Sequence, residues 1–146
     1  MKRIPVSDNF FLDEFIDPVI YAERGERSIT LIDQRIVTAA QFIRDRAGMS
    51  VTINNWATGG RLRERGLRRH DTPTGARWSQ HKYGRAIDIN ISTWTPAQMM
   101  QFMREYEREL ISRNLVTAIE DIQFTPSWLH LDCRFSRSNS FIIVKP

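Results

Sequence analysis

From Arg85 the sequence RAIDINI alternates, with Ile87, Ile89 and Ile91 on one side of an extended backbone and Ala86, Asp88 and Asn90 on the other. This predicts a strand beginning at about Arg85. The segment WLHLDCR repeats the pattern, turning Leu129, Leu131 and Cys133 inward and Trp128, His130, Asp132 and Arg134 to the opposite face. Trp128 to Arg134 is therefore a second strand, and Ser50 to Trp56, Leu115 to Glu120 and Ser140 to Val144 are three more. Helical spacing replaces alternation from Leu31 to Ala47, where Leu31, Ile32, Ile36, Val37, Ala40, Phe42 and Ile43 form one face and Gly48 supplies a stop. Thr95-Pro96-Ala97-Gln98 reads as an N-cap, a first-turn proline and a capping box, opening a helix that runs to about Asn114. Its methionines read as core filling. Helices and strands segregated in this way predict an α+β domain, a small and mainly antiparallel sheet packed against helices.

The length of 146 residues, 41% of them hydrophobic, fits a single domain over the whole chain, residues 1–146. No apolar run approaches the roughly 20 residues that span a bilayer, so membrane insertion is not expected. The opening MKRIPVSDNFFLDEF is interrupted by Asp8, Asp13 and Glu14 and lacks the apolar core of a secretory signal. Synthesis in the cytoplasm is expected, with action elsewhere requiring release by other means.

Cys133 is the only cysteine, which excludes an internal disulfide and any cysteine-based zinc cluster within one chain. Metal ligands, if used, are His and carboxylate. The net charge is +4, and the basic residues concentrate in RLRERGLRRH, Arg61 to His70, with Arg77, Lys82 and Arg85 following; the long loop that carries this run reaches about Trp78. A polyanionic partner follows, nucleic acid or an anionic cell-wall polymer, and charge does not choose between them.

If the strands holding Asp88 and His130 share a sheet, the two residues approach each other, and His81 can swing over from the preceding turn. Gly84 would allow that turn backbone angles closed to other residues, and Ala86 leaves room beside it. Three protein ligands with a fourth position for water is the arrangement of a catalytic zinc site. Each residue also has an ordinary reading as a hydrogen-bonded or solvated side chain.

SQHKYGRAID, from Ser79 to Asp88, resembles S-x-H-x-x-G-x-A-x-D, the first metal motif of the zinc D-alanyl-D-alanine peptidases and related hedgehog-like peptidoglycan peptidases. WLHLDCR resembles the strand carrying the last zinc histidine, NFFLDEF resembles the opening of a subgroup common in phages, and INNW with RGLR resembles the segment before the metal motif. The resemblance implies a hedgehog/DD-peptidase-like fold, with Zn²⁺ bound by His81, Asp88 and His130 and Ser79 supporting the first ligand. It also implies an arginine that holds the substrate carbonyl or carboxylate. Arg68 is the match, with Arg65 or Arg61 as substitutes, and as part of a polar loop it is expected to matter little for folding. Many members carry a catalytic carboxylate three residues before the last histidine, where this chain has Ser127. Glu120, on the metal side when Ile119 points inward, is the first candidate to replace it, and Asp132 the second. Trp128 is a candidate for shaping the substrate cleft.

The expectation is a monomeric zinc peptidase that cuts a stem or cross-bridge peptide of peptidoglycan, of the phage endolysin type or virion-associated, acting on the wall after release. A non-catalytic zinc-containing wall-binding module of the same fold is the alternative, since fold does not fix function. A metal-dependent nuclease would use RLRERGLRRH on phosphates, but no nuclease motif accompanies it, so no specific nucleic-acid partner is expected.

Overall fold

The computed structural model describes residues 1–146. In chain order the elements are α1 (Pro18–Arg24), α2 (Gln34–Ala47), β1 (Val51–Thr52), β2 (Ala86–Ile91), α3 (Pro96–Glu105), α4 (Glu107–Ser112), β3 (Ala118–Glu120), β4 (Leu129–Asp132) and β5 (Ile142–Val144), with 3₁₀ turns between several of them. The α+β class expected from the pattern is observed. One five-stranded sheet has the order β1-β2-β4-β3-β5, antiparallel throughout except for the parallel pair β3 and β5.

The alternation in β2 and β4 does what it predicts. Ile87, Ile89, Ile91, Leu129, Leu131 and Cys133 are all fully buried and join one core with Ile36 and Ile43 of α2 and Met99 and Met103 of α3. Fully burying a side chain of this kind is worth about 1.5–3 kcal/mol, so these strands are held to one register by their apolar face. The methionines of α3 fill core space, as expected. No helix is long and apolar enough to cross a membrane.

Several boundaries differ from the pattern, each for a local reason. The helix expected from Leu31 begins at Gln34, because the Asp33 carboxylate accepts from the Arg35 backbone N–H at 3.0 Å and caps it there. Leu31 ends a 3₁₀ turn and is exposed. The strand expected over Ser50 to Trp56 pairs only at Val51 and Thr52, since the N–H groups of Asn54, Asn55 and Trp56 donate to Glu14 and Leu62 instead. The capping box at Thr95 and Gln98 is present. The helix it opens breaks at Tyr106, which leaves helical angles, and restarts as α4. The last three strands are shorter than expected by the residues at their ends.

The long basic loop is not loose. Residues 65–68 form a strap between the N-terminal segment and the sheet: Leu67 N–H donates to Phe15, Asp17 N–H to Leu67, Asp88 N–H to Arg65 and Arg68 N–H to His81. Gly66, Leu67 and Arg68 are buried. At Gly66 a β-carbon would overlap the Phe15 backbone, so only glycine lets the strap approach this closely.

Gly84 is constrained twice, by φ +66° and by the Leu31 backbone, which a β-carbon would overlap. Gly48 has a similar φ of +62° but open space around it. Gly84→Ala should therefore lower the melting temperature well beyond Gly48→Ala, which should cost about 1 kcal/mol for the left-handed angle alone. Paired thermal melts check this, and equal losses would mean the approach of Leu31 to Gly84 is not needed.

Candidate metal centre

The register of β2 against β4 sets Asp88 opposite His130 and Ala86 opposite Asp132, on the face away from the isoleucines. His81 arrives from the 3₁₀ turn Gln80–Tyr83, which Gly84 ends in the left-handed conformation. The three residues anticipated from spacing thus meet. Their inward atoms form a small triangle: His81 Nε2 to Asp88 Oδ1 is 3.1 Å, His81 Nε2 to His130 Nδ1 is 3.1 Å, and His130 Nδ1 to Asp88 Oδ1 is 2.9 Å. All three residues are buried.

The outer atoms decide what the triangle can hold. His81 Nδ1 lies 2.8 Å from the Gly66 carbonyl, which can only accept, so this nitrogen carries the proton and Nε2 offers a lone pair. His130 Nε2 faces Asp132 Oδ2 at 3.2 Å, which in turn directs the Nδ1 lone pair inward. With neutral rings, two lone pairs and a carboxylate oxygen point at one another. Such a set is stable only around a positive charge. Tetrahedral coordination with bonds of about 2.0 Å puts ligand atoms roughly 3.3 Å apart, so these donors fit a small divalent cation. His81, Asp88 and His130 could hold a metal ion.

A proton is the competing occupant. Burial opposes charge on His130, but hydrogen bonds to Asp132 and Asp88 prevail and raise it to about 9. Burial lowers His81, keeping that ring neutral. Burial also disfavours the Asp88 anion, yet the two histidines outweigh it and hold this carboxyl far below its ordinary value.

Around the triangle, positions are tightly held. Arg68 Nη2 donates to Asp88 Oδ2 at 2.9 Å and its Nε to the Glu64 carbonyl. Arg68 is 9% exposed, so the expectation that it contributes little to folding is corrected: it neutralises the buried Asp88 carboxylate. Ser79 stands at the cap of the His81 turn, but its hydroxyl makes no hydrogen bond to His81; the Gly66 carbonyl does that work instead. Asp132 is also corrected as a candidate base. It is fully buried, its Oδ1 accepts from Arg134 N–H and Nε, and its Oδ2 is shared between Arg134 Nη2 and His130. Arg134 and His130 hold its carboxyl below the ordinary range against burial.

Glu120 extends the β3 register to the place beside His130, half-buried, and lines a cleft of about 460 Å³ that opens over the triangle. Burial raises its carboxyl above the ordinary value. Trp128 lines the same cleft with Arg65 stacked 5.7 Å from its ring, while Arg65 also bonds Asn90. Arg61 is exposed and does not line the cleft. Ser127 is exposed, and its carbonyl accepts from the Asn90 amide. The role of Gly66 escaped the sequence reading, although a glycine inside a basic run was a signal of close backbone approach.

Comparison with known proteins finds no match, whether among family models, curated proteins or solved structures.

Metal analysis of purified protein should find about one divalent ion per chain, lost in His81→Ala, Asp88→Ala and His130→Ala. Full metal content in all three would remove the site. Asp132→Asn should retain the fold and weaken metal binding by roughly 10–100-fold, whereas Arg68→Ala should weaken it and also lower the melting temperature. Because a proton on His130 competes with the cation, apparent affinity should fall as pH drops below about 9. Titration at several pH values reads this directly.

Proposed function

We propose that the chain is a zinc-dependent peptidase of the hedgehog-like, DD-peptidase type, hydrolysing a peptide bond in the stem or cross-bridge of bacterial peptidoglycan. The observation that carries the reading is the convergence of His81, Asp88 and His130 at 2.9–3.1 Å beneath an open cleft, with Glu120 beside them. The motif SQHKYGRAID supports the substrate class, and Arg77 and Lys145 at the cleft, which form no ion pair, suit an anionic wall polymer.

Zinc, when bound by these three residues, would polarise the scissile carbonyl and bring the pKa of a water towards about 7. Glu120 accepts the proton from the attacking water and delivers it to the leaving amine. Its burial makes it a stronger base than a solvated carboxylate. Arg68 orients Asp88 through Nη2, and its remaining nitrogen, Nη1, lies against Gly75 at the cleft wall, within reach of a substrate carbonyl or carboxylate. Trp128 forms a flat wall for the peptide. The protein works on the wall after release from the cytoplasm or as part of a virion.

Glu120→Gln should fold, keep its metal and lose hydrolysis by on the order of a hundredfold or more. Glu120 must be ionised to act, so kcat/KM should fall at acid pH, where the burial that raises this carboxyl is opposed by the charge of a bound dication. Mass spectrometry of fragments released from purified peptidoglycan, run beside a duplex DNA digest, provides the assay. Zinc-loaded protein that binds wall material and releases no peptide from any wall type would favour the non-catalytic module.

A further inference from the structure

A second groove, of about 530 Å³, shares only Arg68 with the metal cleft. Its walls come from α1, from Leu31, from the strap and its continuation to Asp71, and from Lys82 and Tyr83. Two features set it apart from an ordinary surface hollow. The first is apolar surface left open to water: Val19, Leu31 and Tyr83 are 42%, 37% and 36% exposed. The second is a pair of under-used cations.

Lys82 is only 6% exposed, yet its ammonium forms no ion pair, and its one acceptor is the Thr72 carbonyl at a long 3.4 Å. A buried ammonium with three donors normally finds a carboxylate. Arg69 is held only by two loose ion pairs, Nε with Asp17 Oδ1 at 3.9 Å and Nη1 with Asp71 Oδ2 at 3.7 Å, and its Nε has no hydrogen-bond partner. Both cations border the same groove. Their unmet donors call for an acceptor that carries negative charge.

We propose that this groove binds a monocarboxylate bearing a small apolar body, the carboxylate met by Lys82 and Arg69 and the body resting on Val19, Leu31 and Tyr83. The terminal residue of a peptide has this chemistry, as does a free N-acylated amino acid. Glu23 and Asp71 also border the groove. They oppose a second negative charge, which selects against a dianion such as phosphate. The inference goes beyond the proposed peptidase activity, because neither the three metal-site residues nor Glu120 lines this groove.

N-acetyl-leucine, its amide and inorganic phosphate are titrated into isotope-labelled, metal-loaded full-length protein. The backbone amides of Leu31, Leu67 and Tyr83 report the groove and the Trp128 indole reports the cleft. The acid should shift the groove amides saturably, and the amide and phosphate should bind about tenfold more weakly or less. Lys82→Met, which keeps the buried stem and removes the charge, should abolish the preference for acid over amide. Val19→Asp, an exposed change, should weaken the acid by about tenfold with the melting temperature unchanged, and it decides the matter if Lys82→Met fails to fold. Equal binding of acid and amide, shifts confined to Trp128, wild-type affinity in Val19→Asp, or no saturable response up to about 10 mM would each overturn the proposal. Loss of peptidase activity alone would leave these shifts untouched, so the two readings fail separately.

Discussion

Two imidazoles and a carboxylate held within about 3 Å of one another, away from water, form an arrangement that a chain cannot keep unless every outward atom is satisfied. Much of the architecture serves that requirement. Gly66 gives a carbonyl to His81, Asp132 takes the far side of His130, Arg134 neutralises Asp132, and Arg68 neutralises Asp88. The partners come from two stretches of chain, Gly66 and Arg68 from the strap and Asp132 and Arg134 from the end of β4 and the residues just after it. The strap at 65–68 is therefore as much part of the centre as the strands are, and it is fixed in turn by the N-terminal segment through Phe15 and Asp17.

The strands provide the other half of the constraint. An isoleucine at every second position of β2 presses one face into the core, which leaves Asp88 no choice of side. The same logic in β4 presents His130 and Asp132 together. A slip of one residue would turn Asp88 or His130 into the apolar core and the large apolar side chains towards the cleft, so the hydrophobic core sets the geometry of the polar site.

This explains what the sequence made legible. Side-chain alternation and the Thr95 capping box are local, and they located β2, β4 and the start of α3 and put Asp88 and His130 on one face, while His81 was singled out from the turn before β2 by the resemblance of SQHKYGRAID to a metal motif. The start of α2 at Gln34 depended on the Asp33 carboxylate choosing to cap rather than to continue the helix. The loss of strand after Thr52 depended on distant acceptors at Glu14 and Leu62. Burial of Arg68 was hidden for the same reason: a run of arginines reads as solvated until the strap beneath it is known. Asp132 looked free because its partner, Arg134, is only two residues away and its bidentate bonding is a matter of side-chain orientation.

The position of the carboxylate that would move protons follows from the same geometry. At Ser127 a side chain would sit before β4, at an exposed position whose carbonyl is already bonded to Asn90. Glu120 instead ends β3, the strand next to His130, paired with Val144 of β5 and preceded by Ala118 and Ile119, which pair with β4. A base on a paired strand loses less freedom on binding substrate than one on an irregular approach. Its partial burial raises its proton affinity while it lines the open cleft. The neighbouring Asp132 shows the contrast: a carboxylate as close to His130, but saturated by arginine, keeps its charge and orients the ring. Two carboxylates flank one histidine, and their different surroundings leave one ionised and bonded to the ring and the other raised and lining the cleft.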